Sequence, residues 1–189
     1  MEVVWLLRVI SGKARGLKLQ SLDGLSTRPT LDRVKESIFN MLFDKVNGAS
    51  VLDLFAGSGA LGIESLSRYA TECTFVDNNT KAIEVIRENL TKARFLESSD
   101  LIYDDYKSFL EKTDKKFDVV FLDPPYMAGI TEDVLELIYK KNILKSGALI
   151  IVESDRNNVP CYGDNFKVIK EKYYGRVCVC LLEAIWVTI

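Results

Sequence analysis

An open α/β fold, with a mostly parallel sheet and helices on both faces, is what this sequence predicts. Three observations predict it. From Ser50 onward, short apolar runs alternate with segments of helical periodicity. The apolar runs are nearly continuous, as strands covered on both faces require. Acids or glycines stand where those runs end. A chain of 189 residues suffices for one well-buried core with a small appendage.

Taken in order, "WLLRVISGKARGLKLQS" sets branched and leucine residues on either side of a Gly-Lys-Ala-Arg-Gly turn and predicts a β-hairpin. "TRPT" precedes a helix for which Thr30 offers a cap. Val34, Ile38, Met41, Leu42 and Val46 recur along that helix at helical spacing, with Phe39 alongside. Strand and helix then alternate: "SVLDLF" with "GALGIESLSRY", "CTFVD" with "TKAIEVIRENLTKA", "SDLIYDD" with "YKSFLEK", "FDVVFLD" with "TEDVLELIYKK". "GALIIVE" is a fifth strand. "FKVIKEKYYG" and "RVCVCLLEAIWV" predict an antiparallel pair closing the sheet through a turn at Gly175. Residues 1–46 are thus expected to form an N-terminal extension of hairpin and helix, and residues 47–189 the α/β domain.

Composition narrows the chemistry. The chain has no histidine, which excludes Ser-His-Asp and Cys-His catalysis and most transition-metal hydrolases. Four cysteines, at 73, 161, 178 and 180, show no paired C-x-x-C spacing, so no metal is expected; Cys178 and Cys180 alternate on a strand and read as buried small hydrophobes. The N-terminus lacks the pattern of a signal peptide, and no apolar run reaches membrane-spanning length, so a cytoplasmic location without membrane contact is expected. The net charge of −2 conceals an asymmetry. Residues 1–46 carry eight Lys/Arg against five Asp/Glu, and the remainder 17 against 22. Arg8, Lys13, Arg15 and Lys18 fall in one stretch without an acid, a patch suited to a polyanion or simply a solvated hairpin.

Open parallel sheets bind ligands beyond the carboxyl ends of their strands. Asp53, the loop "GSGALG" at 57–62, Asp77, Asp105 and Asp123 all fall at such ends. The glycine spacing matches dinucleotide loops, which hold a pyrophosphate at a helix N-terminus. Asp53, four residues before Gly57, would repel a pyrophosphate, and no Lys or Arg lies between residues 46 and 67. The same carboxylate suits an ammonium group, and S-adenosylmethionine offers one without any phosphate. Gly57 and Gly59 then allow close backbone approach. Asp77 suits ribose hydroxyls; Asp105, or its neighbour Asp104, is placed to read an adenine amino group or to be a solvated acid.

"DVVFLDPPY" brings Asp123, Pro124, Pro125 and Tyr126 to the end of the fourth strand. Two prolines hold the chain extended and free of donors. The tetrapeptide resembles the D/N-P-P-Y/F motif of methyltransferases acting on exocyclic amino groups of nucleobases. Such an amine is a poor nucleophile because its lone pair is conjugated into the ring. The Asp123 carboxylate and the Pro124 carbonyl can accept its two N–H bonds, and Tyr126 can stack on an extruded base.

Together, "RVISGKARGLKL", "TRPTLDRVKESIFNML", "VLDLFAGSGALGIESLSR", "FDVVFLDPPY" and "GALIIVE" resemble the RsmD family over nearly the whole chain from Arg8. These bacterial enzymes methylate the 2-amino group of a guanine in small-subunit ribosomal RNA. The resemblance implies a Rossmann-like, seven-stranded methyltransferase fold with S-adenosylmethionine as donor and 16S ribosomal RNA, in an assembling small-subunit particle, as partner. It places Asp53, Phe55, Gly57 and Gly59 at the donor, Asp77 and Asn78 at its ribose, and Asp123 and Tyr126 at the guanine. It also sets Arg28 and Arg33, with the basic hairpin, against RNA phosphates. Two departures stand out: Tyr69 occupies a position where glycine is expected, and Asp77 one where glutamate is usual. The seven residues before Arg8 read as an added strand or as the product of an alternative start. An adenine-N6 methyltransferase, a catalytically silent RNA-binding factor and an NAD-dependent oxidoreductase are the competing readings. Asp53 and the missing histidine disfavour the last.

Overall fold

The computed structural model describes residues 7–22, 29–124 and 129–186. Its apolar runs pair as strands β1 (Ser50–Asp53), β2 (Glu72–Asp77), β3 (Ser99–Tyr103), β4 (Phe117–Leu122), β5 (Leu144–Asp155), β6 (Phe166–Tyr174) and β7 (Val177–Ala184). They make one sheet in the order β3-β2-β1-β4-β5-β7-β6. β1 to β5 pair in parallel, and β7 runs antiparallel between β5 and β6. The order reverses between β1 and β4, which opens a crevice at their carboxyl ends, where Asp53 and Asp123 stand.

Alternate residues of each strand feed two cores. Val51, Phe75, Phe121 and Ile151 pack under α1 (Pro29–Leu42), α2 (Ala60–Ser67) and α3 (Thr80–Ala93). Leu52, Val76, Val120 and Val152 pack under α4 (Tyr106–Lys112) and α5 (Ile130–Lys141). Local sequence sets the helix ends. Asn79 caps α3 by accepting from the Lys81 N–H at 3.0 Å, and Asn142 ends α5 in the left-handed region. The expected cap at Thr30 is displaced: α1 begins at Pro29, so Thr30 is already its second residue. Proline suits the first turn because the donor it lacks would have no helical partner there.

The hairpin is minimal. Arg8 and Lys18 form a single bridge, supported by Val9 N–H to Leu17 O at 2.9 Å and Leu19 N–H to Leu7 O at 2.7 Å. Its turn is held by α2 rather than by a longer ladder. Lys13 and Ala14 N–H donate to Ser67 O and Oγ at 2.8 and 2.9 Å. A Cβ on Gly12 would lie 1.8 Å from Ser67 O, so only glycine allows this approach. Below the turn, Glu64 of α2 is fully buried. It accepts N–H bonds from Ile10 and Ser11 at 2.7 and 3.0 Å and pairs with Lys35 of α1 at 3.4 Å and Arg68 at 2.8 Å. Lys35 also donates to Arg8 O. Val9 and Leu19 join the core under α1, so the N-terminal segment shares its interior with the sheet.

Candidate active site

Two hollows adjoin at the β1–β4 crevice. The first is lined by Asp53, Phe55, Ala56, Gly57, Asp123 and Glu153, with Lys35 and Leu7 from the N-terminal segment. The second is lined by Phe55, Asp77, Asn78, Asp104, Tyr106 and Asp123. Asp123 and Phe55 belong to both, so the end of β4 stands where the hollows meet.

The glycine loop joins β1 to α2, and its three glycines answer to different needs. Gly57 and Gly59 take φ of 54° and 76°, which let the chain turn. Gly62 serves packing: a Cβ there would meet Phe75 at 2.2 Å. Asp77 ties the loop to β2, accepting from Gly57 N–H and Asn79 N–H, both at 2.8 Å. The buried amide of Asn89 braces the loop from α3, donating to Ser58 O and Gln20 O and accepting from Gln20 N–H. This draws the segment after the hairpin across the loop.

The rim is acidic. Asp53 is 4% exposed, and its only hydrogen bond among the described residues is from Gly62 N–H at 3.0 Å. Burial pushes its carboxyl up to about 7; the Gly62 bond opposes the rise, and the charges of Asp123 and Asp77 add to it. Burial against the surrounding protein pushes the Asp123 carboxyl up to about 6, although the residue is exposed at the crevice. Glu153, half-buried at the end of β5, is raised well above its ordinary value by burial and then by Asp123 and Asp53. Among the described residues lining this hollow, Lys35 is the one cation, and it is engaged by Glu64. An unmatched cluster of carboxyls favours a cationic ligand and opposes a pyrophosphate. A ligand bearing an ammonium and a sulfonium fits these residues.

Asp53, Phe55, Gly57, Asp77, Asn78 and Asp123 therefore converge on one crevice, with Gly59 in the adjoining turn. Asp105 does not. Its carboxylate caps α4, accepting from Lys107 and Ser108 N–H at 3.0 Å each, and Asp104 takes its place in the second hollow. Pro124 is buried directly after Asp123, whereas Tyr126 and Arg28 lie outside the described residues. Arg8, Lys13, Arg15, Lys18 and Arg33 are all exposed. Arg8 pairs with Asp32 at 3.0 Å, and Lys13 sits 4.9 Å above the Tyr69 ring. Tyr69 adopts φ of 72°, which explains why glycine is the expected residue there. The sequence reading missed Glu153, Lys35 and Glu64. The first stands near a strand end like the other acids, and the last is the one charged residue of α2; both signals were present.

The profile of the family described as "Conserved hypothetical protein 95" matches residues 7–183. Ribosomal RNA small subunit methyltransferase D of Haemophilus influenzae is 38% identical, over 94% of this chain and 93% of that one. Its namesake in Escherichia coli K12 is 36% identical, over 94% and 89%. The chain belongs to the RsmD family. The solved structure of yhhF from Escherichia coli superposes with a TM-score of 0.86 at 37% identity, covering 95% of this chain and 98% of that one. The RsmD-family chain is thus a methyltransferase with a Rossmann-like sheet. Among the described residues, no helix is long and apolar enough to cross a membrane.

Proposed function

We propose that this RsmD-family enzyme methylates the exocyclic 2-amino group of a guanine in 16S ribosomal RNA, in the cytoplasm, on an assembling small-subunit particle. The position of Asp123 carries the reading: it lines both hollows, the first of which it shares with Gly57 of the glycine loop. In this reading Asp53 holds the donor's ammonium, and the backbone at Gly57 and Gly59 lies against its methionyl and ribose portions. Asp77 and Asn78 meet the ribose hydroxyls, Asp104 reads the adenine amino group, and Phe55 forms the wall between the hollows. The donor supplies an electrophilic methyl group on a positively charged sulfur.

Asp123 and the Pro124 carbonyl accept the two N–H bonds of the guanine amine and turn its lone pair toward that methyl. Alignment at short range then supplies much of the acceleration. With its carboxyl pushed up to about 6, Asp123 is also suited to take the proton the amine loses. Tyr126 stacks on the extruded base. Residues 1–46 form the RNA-contacting extension, with Arg8, Lys13, Arg15, Lys18, Arg28 and Arg33 toward phosphates, and residues 47–189 the catalytic domain. Incubation with labelled donor and either small-subunit particles or duplex DNA, followed by nucleoside analysis, tests this. N2-methylguanosine is the expected product; label found only in adenine would overturn the reading.

A further inference from the structure

The cysteine spacing gives no metal motif, yet the fold assembles one set of ligands. β6 carries a bulge: Val168 stands opposite Leu182 and Lys170 opposite Leu181, so Ile169 is an extra residue. A regular ladder would set Glu171 opposite Val179 and on the other face of the sheet. The bulge sets it opposite Cys180 instead. Cys178 and Cys180 are both fully buried on that face. Their Sγ atoms are 3.8 Å apart, and Glu171 Oε1 lies 3.7 Å from the first and 3.4 Å from the second.

These separations are those of a tetrahedral cation. Zinc bonds of about 2.3 Å to thiolate and about 2.0–2.2 Å to carboxylate set S···S near ~3.8 Å and S···O near ~3.5–3.7 Å. Two further groups flank the cluster. Ser154 stands across the β5–β7 ladder from Cys178, and the Tyr162 hydroxyl lies beside Cys180. Ser154 is 6% exposed, and both hydroxyl oxygens are buried with no partner among the described residues beyond the weak one that the neighbouring thiols offer. Orphaned buried hydroxyls usually mark a partner that the protein atoms do not supply.

We propose that Glu171, Cys178 and Cys180 bind one zinc-class divalent cation. A water held by the Ser154 and Tyr162 hydroxyls takes the fourth position. Binding displaces the two thiol protons. Glu171 is exposed and gives the ion a way in from the sheet edge. The bound ion cross-links β6 to β7 beside β5, on the opposite face of β5 from Glu153.

The test is cobalt titration of the full chain, followed by thiolate-to-cobalt charge-transfer absorption, with zinc content measured on protein purified from zinc-supplemented cells. One equivalent of cobalt is expected, displaced by zinc. The Cys178→Ser/Cys180→Ser protein is expected to lose the band, Glu171→Gln to weaken binding about tenfold, and Cys161→Ser, at an exposed cysteine outside the cluster, to leave it unchanged. A wild-type chain without the band overturns the proposal, whatever the variants do. So does a band that survives in the double serine variant.

Discussion

Two buried carboxylates, 11 positions apart on either side of the glycine loop, behave in opposite ways. Glu64 is fully buried and fully matched: two backbone N–H groups, Lys35 and Arg68 all face it. Asp53 is almost as buried, yet it has one N–H partner among the described residues and no cation beside it. Burying a charge is costly unless it is paired, so the first arrangement is complete and the second is waiting for something. A matched buried acid joins parts of the fold, here the hairpin, α1 and α2. An unmatched one at a strand end marks a site for a cation that arrives from outside.

The largest effect expected from this contrast is on stability. Glu64→Ala strands Lys35 and Arg68 together with two backbone donors, and should destabilise the chain by about 3–5 kcal/mol. Urea unfolding would measure it; a loss below ~1 kcal/mol would mean that Glu64 does not fasten the hairpin. Asp123→Ala should do the reverse. Its carboxylate serves the acceptor, so turnover should fall by about 10²–10³, with donor affinity within about threefold of wild type by calorimetry. Full turnover in this variant would remove Asp123 from the mechanism.

Asp53 gives the contrast a pH dependence. In the free protein its carboxyl holds a proton up to about 7, whereas in the unfolded chain it is released near ~3.9. The folded state therefore binds the proton more tightly, and the stability this confers at low pH is lost as pH rises toward 7. Asp53→Asn abolishes that dependence, so the variant without ligand should gain on wild type across this window and unfold at a higher temperature at pH 8. Donor binding should change in the opposite sense. An ammonium needs the ionised carboxylate, so affinity should increase with pH, level off above about 7, and be accompanied by proton release. Calorimetry in buffers of different ionisation enthalpy would detect that proton. An affinity that stays flat from pH 5.5 to 8 would take Asp53 out of the donor site.

The α/β order, the antiparallel finish and the acids along the rim were legible because each depends on local pattern: continuous apolar runs, helical spacing and residues at strand ends. Asp53, Asp77 and Asp123 could be placed from position alone. Asp104 and Asp105 could not be separated, because both follow directly on β3 and only the register of α4 decides which one caps the helix. Lys35 was hidden for a different reason. Its partner, Glu64, lies 29 residues further on, and a charge in an amphipathic helix ordinarily reads as solvated. The Glu171–Cys178–Cys180 cluster depends on a bulge, which shifts every later residue of β6 to the other face and leaves no mark in the spacing of the cysteines.

The smallest effect concerns the hairpin that Glu64 fastens. Four of its side chains are basic and exposed, but they are not equivalent. Arg8 is drawn to Asp32 and Lys13 to the Tyr69 ring, whereas Arg15 and Lys18 form no ion pair among the described residues. Those two are the cations freest to meet phosphates. Replacing both with Gln should leave folding and donor binding unchanged, because neither side chain is buried. RNA affinity should drop modestly, and the slope of log K against log salt should fall by about 0.7–0.9 for each phosphate left without its cation. Binding isotherms at four salt concentrations would resolve that change. An unaltered slope would make the hairpin a fastened but solvated surface, leaving the crevice acids as the part of this protein that meets its substrates.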